Sequence, residues 1–194
     1  MSLTHAKTLF RKWIGPLLIC TGVAPLAYGL VVWKQGNFHV VSDRKAYRSR
    51  QLDRDELTRY VHEYGIKSVL NLRGKNPGVA WYREEILGAE SLGLRHYDYG
   101  ISAHHAVSDR DVEGILAILR EAPKPILIHC KSGADRTSLA AALYLYRVEC
   151  RSRDEAERQL SLRYGHSPFL WNSTIAMDRT FERYAQTHSI CALP

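Results

Sequence analysis

Hydrophobic residues follow three patterns along the chain: one long uninterrupted run, several runs of strand length, and stretches with apolar residues every three to four positions. The long run comes first. From Trp13 to Trp33 (WIGPLLICTGVAPLAYGLVVW) 21 residues pass without a charge, and at ~1.5 Å per residue a helix of that length reaches the ~30 Å of a bilayer core. Residues 13–33 are therefore expected to form one retained transmembrane helix behind a short basic flank at 1–12. Tryptophan at either end suits the membrane interfaces, and Lys7, Arg11 and Lys12 favour leaving the flank in the cytoplasm. The rest of the chain is then expected on the periplasmic or extracytoplasmic side. Lys34, Arg44, Lys45, Arg48 and Arg50 pull the other way, but residues of a folded domain count for less. A signal peptide cleaved near Ala24-Pro-Leu-Ala27 and a core helix broken by Pro16 and Pro25 are the rival readings. The run exceeds the ~7–15 residues of a signal-peptide apolar region, which favours the anchor. Cys20 follows Ile19, where a lipid-acceptor site wants a small residue, and reads as an apolar residue of the span.

Beyond about Gln35 the patterns shorten and alternate. The polar stretch 35–50 leads into two strand-like pieces, FHVV and AYRS, and places the start of a folded domain, 35–194, near Gln35. Asp53 can cap a helix to about Tyr64, with Leu57, Tyr60, Val61 and Tyr64 at helical spacing and Gly65 to end it. Lys67–Leu72 reads as a short strand, Trp81–Ser91 as a helix, and Leu94–Ser102 as a further strand. Ser108 caps a helix over Asp109–Glu121, with Val112, Ile115, Leu116 and Leu119 on one face. Ile126-Leu-Ile-His129 is an unbroken apolar strand of the kind buried on both faces of a parallel sheet. After a glycine-containing turn come a helix rich in Ala and Leu to about Glu149, one from about Asp154 to Arg163, and a last from about Ser173 to Ala185. Alternating strands and helices predict a three-layer α/β domain, a mostly parallel central sheet flanked by helices.

Composition narrows the picture. With 194 residues the chain suits one domain, and 45% hydrophobic residues provide a core. Four of the seven net positive charges lie within residues 1–34, leaving a mildly basic body that suits an anionic substrate and argues against nucleic acid as a partner. Four cysteines, at 20, 130, 150 and 191, match neither a disulfide scaffold nor a structural zinc site. Cys150 and Cys191 either pair in an oxidising compartment or lie silent. No Asp/Glu/His cluster calls for a metal, and no cofactor is implied. Oligomeric state is not legible.

The chemistry concentrates in Ile126-Leu-Ile-His-Cys130-Lys-Ser-Gly-Ala-Asp-Arg136-Thr137. The Cys-x5-Arg spacing alone is weak, but the context is demanding. A tight turn at the carboxyl end of a parallel strand aims successive N–H groups into a nest for an anion. The next helix adds its positive amino-terminal end to the same place. Gly133 supplies backbone freedom and keeps bulk out of the nest. Arg136 can fork onto two oxygens of a tetrahedral phosphate. A cysteine in that field is favoured as the nucleophilic thiolate.

This loop, HCKSGADRT with its leading histidine and trailing threonine, resembles the HCxxGxxR(S/T) signature of the cysteine-dependent protein tyrosine and dual-specificity phosphatases, and most of all their compact atypical group. The resemblance extends in order of elements from about Tyr47 to Tyr184. It implies that Cys130 attacks phosphorus and forms a cysteinyl-phosphate intermediate while Arg136 binds the phosphoryl oxygens. It further implies that Thr137 donates to the departing sulfur and that His129 orients the loop from beneath. Lys131, Ser132, Gly133, Ala134 and Asp135 would complete the phosphate cradle, with the Lys131 side chain open to a second acidic group. Implied substrates are phosphotyrosine and phosphoserine/threonine proteins, with membrane-lipid or inositol phosphates as the alternative. A catalytically silent phosphate-binding module is the rival from another class.

The general acid is the open question. Asp98, placed mid-strand, would lie more than ~13 Å below the strand's end. Asp109 is expected at the right edge, as catalyst or as a first-turn helix acid. Asp135 and the loop histidines His104 and His105 are further candidates, and Asp109 is the one chosen. Arg73, at the end of the first strand of the parallel set, is expected either to contact substrate beyond its phosphate or to make a surface ion pair.

Overall fold

The computed structural model describes residues 34–168 and 174–191. The chain divides after Gln35, and the fold below belongs to the unit Gly36–Pro194. The expected anchor at 13–33 lies outside the described residues, among which no helix is long and apolar enough to cross a membrane.

Five strands form one sheet: β1 (His39–Ser42), β2 (Ala46–Ser49), β3 (Ser68–Asn71), β4 (Arg95–Asp98) and β5 (Ile126–His129). Their order is β1-β2-β5-β3-β4, with β1 antiparallel to β2 and every other pairing parallel. The most apolar strand, β5, is therefore central, and each of its residues is buried. Helices follow between strands: α1 (Arg54–Tyr64), α2 (Ala80–Ser91), α3 (Asp109–Glu121), α4 (Asp135–Arg147), α5 (Arg153–Glu157) and α6 (Ile175–Thr187).

The side-chain period of two divides β5 between two cores. Ile126 and Ile128 join Val112, Ile115, Leu116, Leu143 and Phe181 on the face covered by α3, α4 and α6. Leu127 joins Tyr47, Val69, Leu57 and Tyr60 on the α1 face. The result is a three-layer α/β domain with a mixed, mostly parallel sheet. At the carboxyl edge the last row across the sheet is Ser49, His129, Asn71 and Asp98, polar on every strand.

Local chemistry explains the helix starts. Asp53 and Glu56 form a reciprocal capping box on α1, and Gly65 closes that helix in the left-handed conformation. Ser108 accepts from the Asp111 N–H at the start of α3. Two expectations change. β4 ends at Asp98 rather than Ser102, because Gly100 passes so close to Gly74 that a Cβ there would lie 3.1 Å from the Gly74 Cα. α5 stops at Glu157, giving way to turns and a 3-10 turn at Leu162–Tyr164 that bring Gln159 and Tyr164 under the sheet edge. Cys150 and Cys191 are joined in a disulfide, with Cα atoms 5.5 Å apart, tying the end of α6 to the end of α4.

Candidate active site

The loop from Cys130 to Arg136 leaves the edge of the central strand and enters α4. Its shape follows from where its carbonyl groups go. The Lys131 carbonyl accepts from the Gln51 N–H (3.2 Å). The Ser132 carbonyl accepts from Asn37 Nδ2 (3.0 Å), and the Gly133 carbonyl from Arg48 Nη2 (2.9 Å). Arg48 Nη2 also reaches the Ala134 carbonyl (3.4 Å). Each carbonyl is thus drawn outward to a neighbouring segment, and the opposed N–H groups of the peptides turn to the inside of the loop. Among the described residues no backbone acceptor meets the N–H groups of Lys131, Ser132, Gly133, Asp135 or Arg136. Gly133 has φ +71°, and a Cβ there would lie 2.6 Å from the Ser49 carbonyl. Only glycine fits that approach.

Arg48, counted from sequence only as a charge after the apolar run, is the keystone. It lies on β2, fully buried. Its guanidinium stacks 3.9 Å from the Tyr164 ring centre and donates to Gln159 Oε1 (2.8 Å) and Ser138 Oγ (2.7 Å) besides the loop carbonyls. Burial pushes its pKa down to about 10, against the opposing pull of Tyr164 and Cys130. The group therefore stays cationic at neutral pH behind the loop.

Cys130 is a free thiol, buried in the core cluster of the α3–α4–α6 face. Arg136 Nη1 donates to the carbonyls of Leu72 and Ile101 (both 3.3 Å), which fixes the guanidinium against the loops after β3 and β4. Its Nε is buried without a protein partner. Anchored on one corner, the guanidinium keeps its Nε side for a bidentate anion. The Thr137 hydroxyl is likewise buried without a partner. A buried donor without an acceptor is costly, and the first belongs to the last residue of the loop that would hold an anion and the second to the residue after it.

Beneath the loop, His129 Nδ1 lies 3.4 Å from the Cys130 carbonyl and Nε2 lies 3.2 Å from Glu85 Oε2, off the line of a hydrogen bond. Glu85, on α2, also accepts from Gln51 Nε2 and lies 2.7 Å from His96 Nε2. Burial alone would raise the Glu85 pKa. The close approach of His129 and the hydrogen bond with His96 outweigh it and hold the carboxyl well below the usual range.

The candidate acids are distributed as follows. Asp98 stands at the strand's end, not below it, in one row with His129. Its side chain instead shares the α2 face, where it accepts from Tyr82 OH (2.6 Å) and Asn71 Nδ2 (2.8 Å), whereas Cys130 belongs to the opposite core. Asp135 lies 2.8 Å from His166 Nδ1, and His166 Nε2 lies 2.9 Å from Asp178 on α6. Asp109 is exposed in the first turn of α3 and receives Arg183 Nη2 of α6 (3.0 Å). His104 and His105 are exposed on the loop between β4 and α3. That loop touches Arg136 through the Ile101 carbonyl and is tied at its far end by the Val107 N–H to Thr180 Oγ1 (3.0 Å).

Arg73 makes no ion pair among the described residues. Its guanidinium stacks on Trp81 (3.4 Å to the ring centre) and donates to Gln51 Oε1 (3.1 Å). Burial, then the Arg136 charge, lowers its pKa. No three His, Cys, Asp or Glu side chains converge as a metal site among the described residues.

Comparison with known proteins adds the family. Among proteins of curated function none matches. Solved structures of similar fold include P. aeruginosa TpbA, 22% identical, covering 77% of this chain and 86% of that one with a TM-score of 0.58. A TpbA variant in complex with phosphotyrosine is 22% identical over 75% of this chain and 83% of that one, at 0.56. The core catalytic domain of the PP-IP phosphatase SIW14 from S. cerevisiae is 25% identical, covering 78% of this chain and 91% of that one, at 0.52. A family model described as a DSP-PTPase phosphatase fused to NAD+ kinase matches residues 33–177. That match spans the sheet, the loop and most of the helices, so the chain belongs to this DSP-PTPase family and is a cysteine-dependent phosphoric monoester hydrolase of the protein tyrosine and dual-specificity phosphatase superfamily.

Proposed function

We propose that the protein hydrolyses phosphate monoesters, phosphotyrosine and phosphoserine/threonine proteins foremost, through a cysteinyl-phosphate intermediate on Cys130. The observation that carries this reading is the capture of the carbonyls of Lys131, Ser132 and Gly133 by neighbouring segments, which turns the opposed N–H groups the other way, together with a buried Arg136 Nε that has no protein partner. In the first step the Cys130 thiolate forms the S–P bond as the ester oxygen departs with a proton. In the second, water attacks phosphorus, the S–P bond breaks, and phosphate leaves with the thiolate restored. Thr137 donates to the sulfur as it departs. The leaving-group proton comes from the loop between β4 and α3, where Asp109 and the two histidines are the donors to compare; the Arg183 contact favours a structural role for Asp109.

The second reading, a phosphatase of inositol or lipid phosphates, is favoured by Arg73 on Trp81, a further cation beside Arg136. It is also consistent with the PP-IP phosphatase named among the solved structures of similar fold. We further propose that residues 13–33 anchor the domain in a membrane with the site on the extracytoplasmic side. The Cys150–Cys191 disulfide supports an oxidising compartment.

The test is p-nitrophenyl phosphate hydrolysis by the full chain in neutral detergent with EDTA, wild type beside Cys130→Ser. Turnover that persists in EDTA and vanishes with the serine is expected. A folded wild type without turnover would replace the enzyme by a phosphate-binding module. Phosphotyrosine peptide against inositol phosphates, compared by kcat/KM, separates the two substrate readings.

A further inference from the structure

A cleft of about 620 Å³ opens between β1, the end of α4 and the segment from Arg151 to Tyr164, sharing no residue with the Cys130–Arg136 loop. That volume is within the range of small-molecule sites, ~300–1,000 Å³. Three arginines are among its lining residues, Arg151, Arg158 and Arg163. The Arg151 and Arg158 side chains are exposed and enter no described ion pair. Two carboxylates share the lining, and both are engaged elsewhere. Asp43 pairs with Arg44 (3.3 Å), and Glu155 closes the capping box of α5 with Ser152.

The wall behind these cations is rigid. Gln159 is buried and bound through Oε1 and its carbonyl to Arg48 (2.8 and 3.2 Å). The Tyr164 ring lies under the Arg48 guanidinium, and its carbonyl accepts from Asn37 Nδ2 (3.0 Å). These buried bonds fix the backbone from which the exposed Arg158 and Arg163 side chains project, one residue before Gln159 and one before Tyr164. Guanidinium groups on such a wall match the oxygens of phosphate better than those of water.

We propose that this cleft is a second anion site, separate from the catalytic loop, which binds a ligand carrying clustered phosphate groups through Arg151, Arg158 and Arg163. Such groups occur on free polyphosphorylated molecules and on lipid headgroups, and the experiment separates the two. The full chain is held in neutral detergent at constant ionic strength, with orthovanadate saturating the catalytic loop. It is then titrated by calorimetry with inositol hexakisphosphate and, separately, with dihexanoyl phosphatidylinositol 4,5-bisphosphate.

Stoichiometric binding is expected, weakened about tenfold or more in Arg151→Glu/Arg158→Glu, at ~1.4 kcal/mol per tenfold. The double variant keeps the wild-type rate on p-nitrophenyl phosphate, which shows that it is folded. Arg158→Gln, a milder change, weakens binding in the same direction. A variant-sensitive signal with the hexakisphosphate alone assigns a free ligand, and with the lipid bisphosphate alone a headgroup. No binding, or equal affinity of wild type and both variants for both probes, overturns the proposal.

Discussion

Replacing His166 by glutamine tests how the Cys130–Arg136 loop is tied to α6. The imidazole is fully buried between two carboxylates, 2.8 Å from Asp135 in the loop and 2.9 Å from Asp178 on α6, a geometry that calls for a proton on each nitrogen. Burial by itself would lower its pKa. The hydrogen bonds and charges of Asp135 and Asp178 outweigh burial and raise it from 6.5 to about 9. The difference, about 2.5 units at 1.36 kcal/mol each, amounts to roughly 3 kcal/mol. The aspartate side chains are 20% and 32% exposed, so water screens part of this and about 2–3 kcal/mol is the working value. Because the folded pKa lies above the unfolded one, the stabilisation is complete below pH 6.5 and drains away as the pH rises through 9. Urea unfolding of the full chain in neutral detergent, from about pH 6 to pH 10, measures it as wild type minus His166→Gln. Groups common to both proteins cancel in the difference. The gap is expected to narrow by about 2–3 kcal/mol across that window. Two curves that run parallel from end to end would refute a charged His166 at the base of the loop.

Two further perturbations probe the supports. Arg48→Lys keeps the charge but replaces a fork by a single ammonium that cannot reach the Gly133 carbonyl, Ser138 and Gln159 together. A loss of about 2–4 kcal/mol in stability and at least a tenfold fall in kcat/KM on p-nitrophenyl phosphate are expected; an unchanged kcat/KM in the folded variant would show that the loop keeps its shape unaided. The disulfide closes a separation of 41 residues, for which chain entropy gives about 4 kcal/mol. Reductant should therefore lower the urea midpoint of the wild type and leave that of Cys150→Ala/Cys191→Ala where it was, whereas coincident wild-type curves with and without reductant would contradict a stabilising cross-link.

The parts of the fold that depend on neighbours in sequence were legible. The Asp53 and Ser108 caps and the Gly65 stop are short-range hydrogen-bond and φ preferences, and those helix starts and that end lie where the pattern put them. β5 was legible because an unbroken apolar run fits a strand buried on both faces, and that strand is central. The end of β4 was not. Tyr97-Asp-Tyr-Gly-Ile101 still alternates as a strand would, and what stops it is Gly74, 26 residues earlier in sequence, packing against Gly100.

The Cys-x5-Arg loop was readable because spacing, glycine and flanking strand and helix are all local. Its scaffolding was not. Arg48 in AYRS looks like the polar partner of an alternating strand, and only pairing with β5 puts its fork behind Gly133. Glu85 is one acid among several on α2 until the sheet sets His129 beside it. Asp109, placed by sequence in the first turn of α3, meets Arg183 only because the fold brings α6 within side-chain reach of α3. By itself, then, the sequence determined the family, the order of elements and the place of the Cys130–Arg136 loop between β5 and α4, which are written in contiguous residues. Tertiary structure decided the supports, the pairing of Cys150 with Cys191, and which carboxylates are already bound, because such contacts join residues distant in sequence and depend on register and packing.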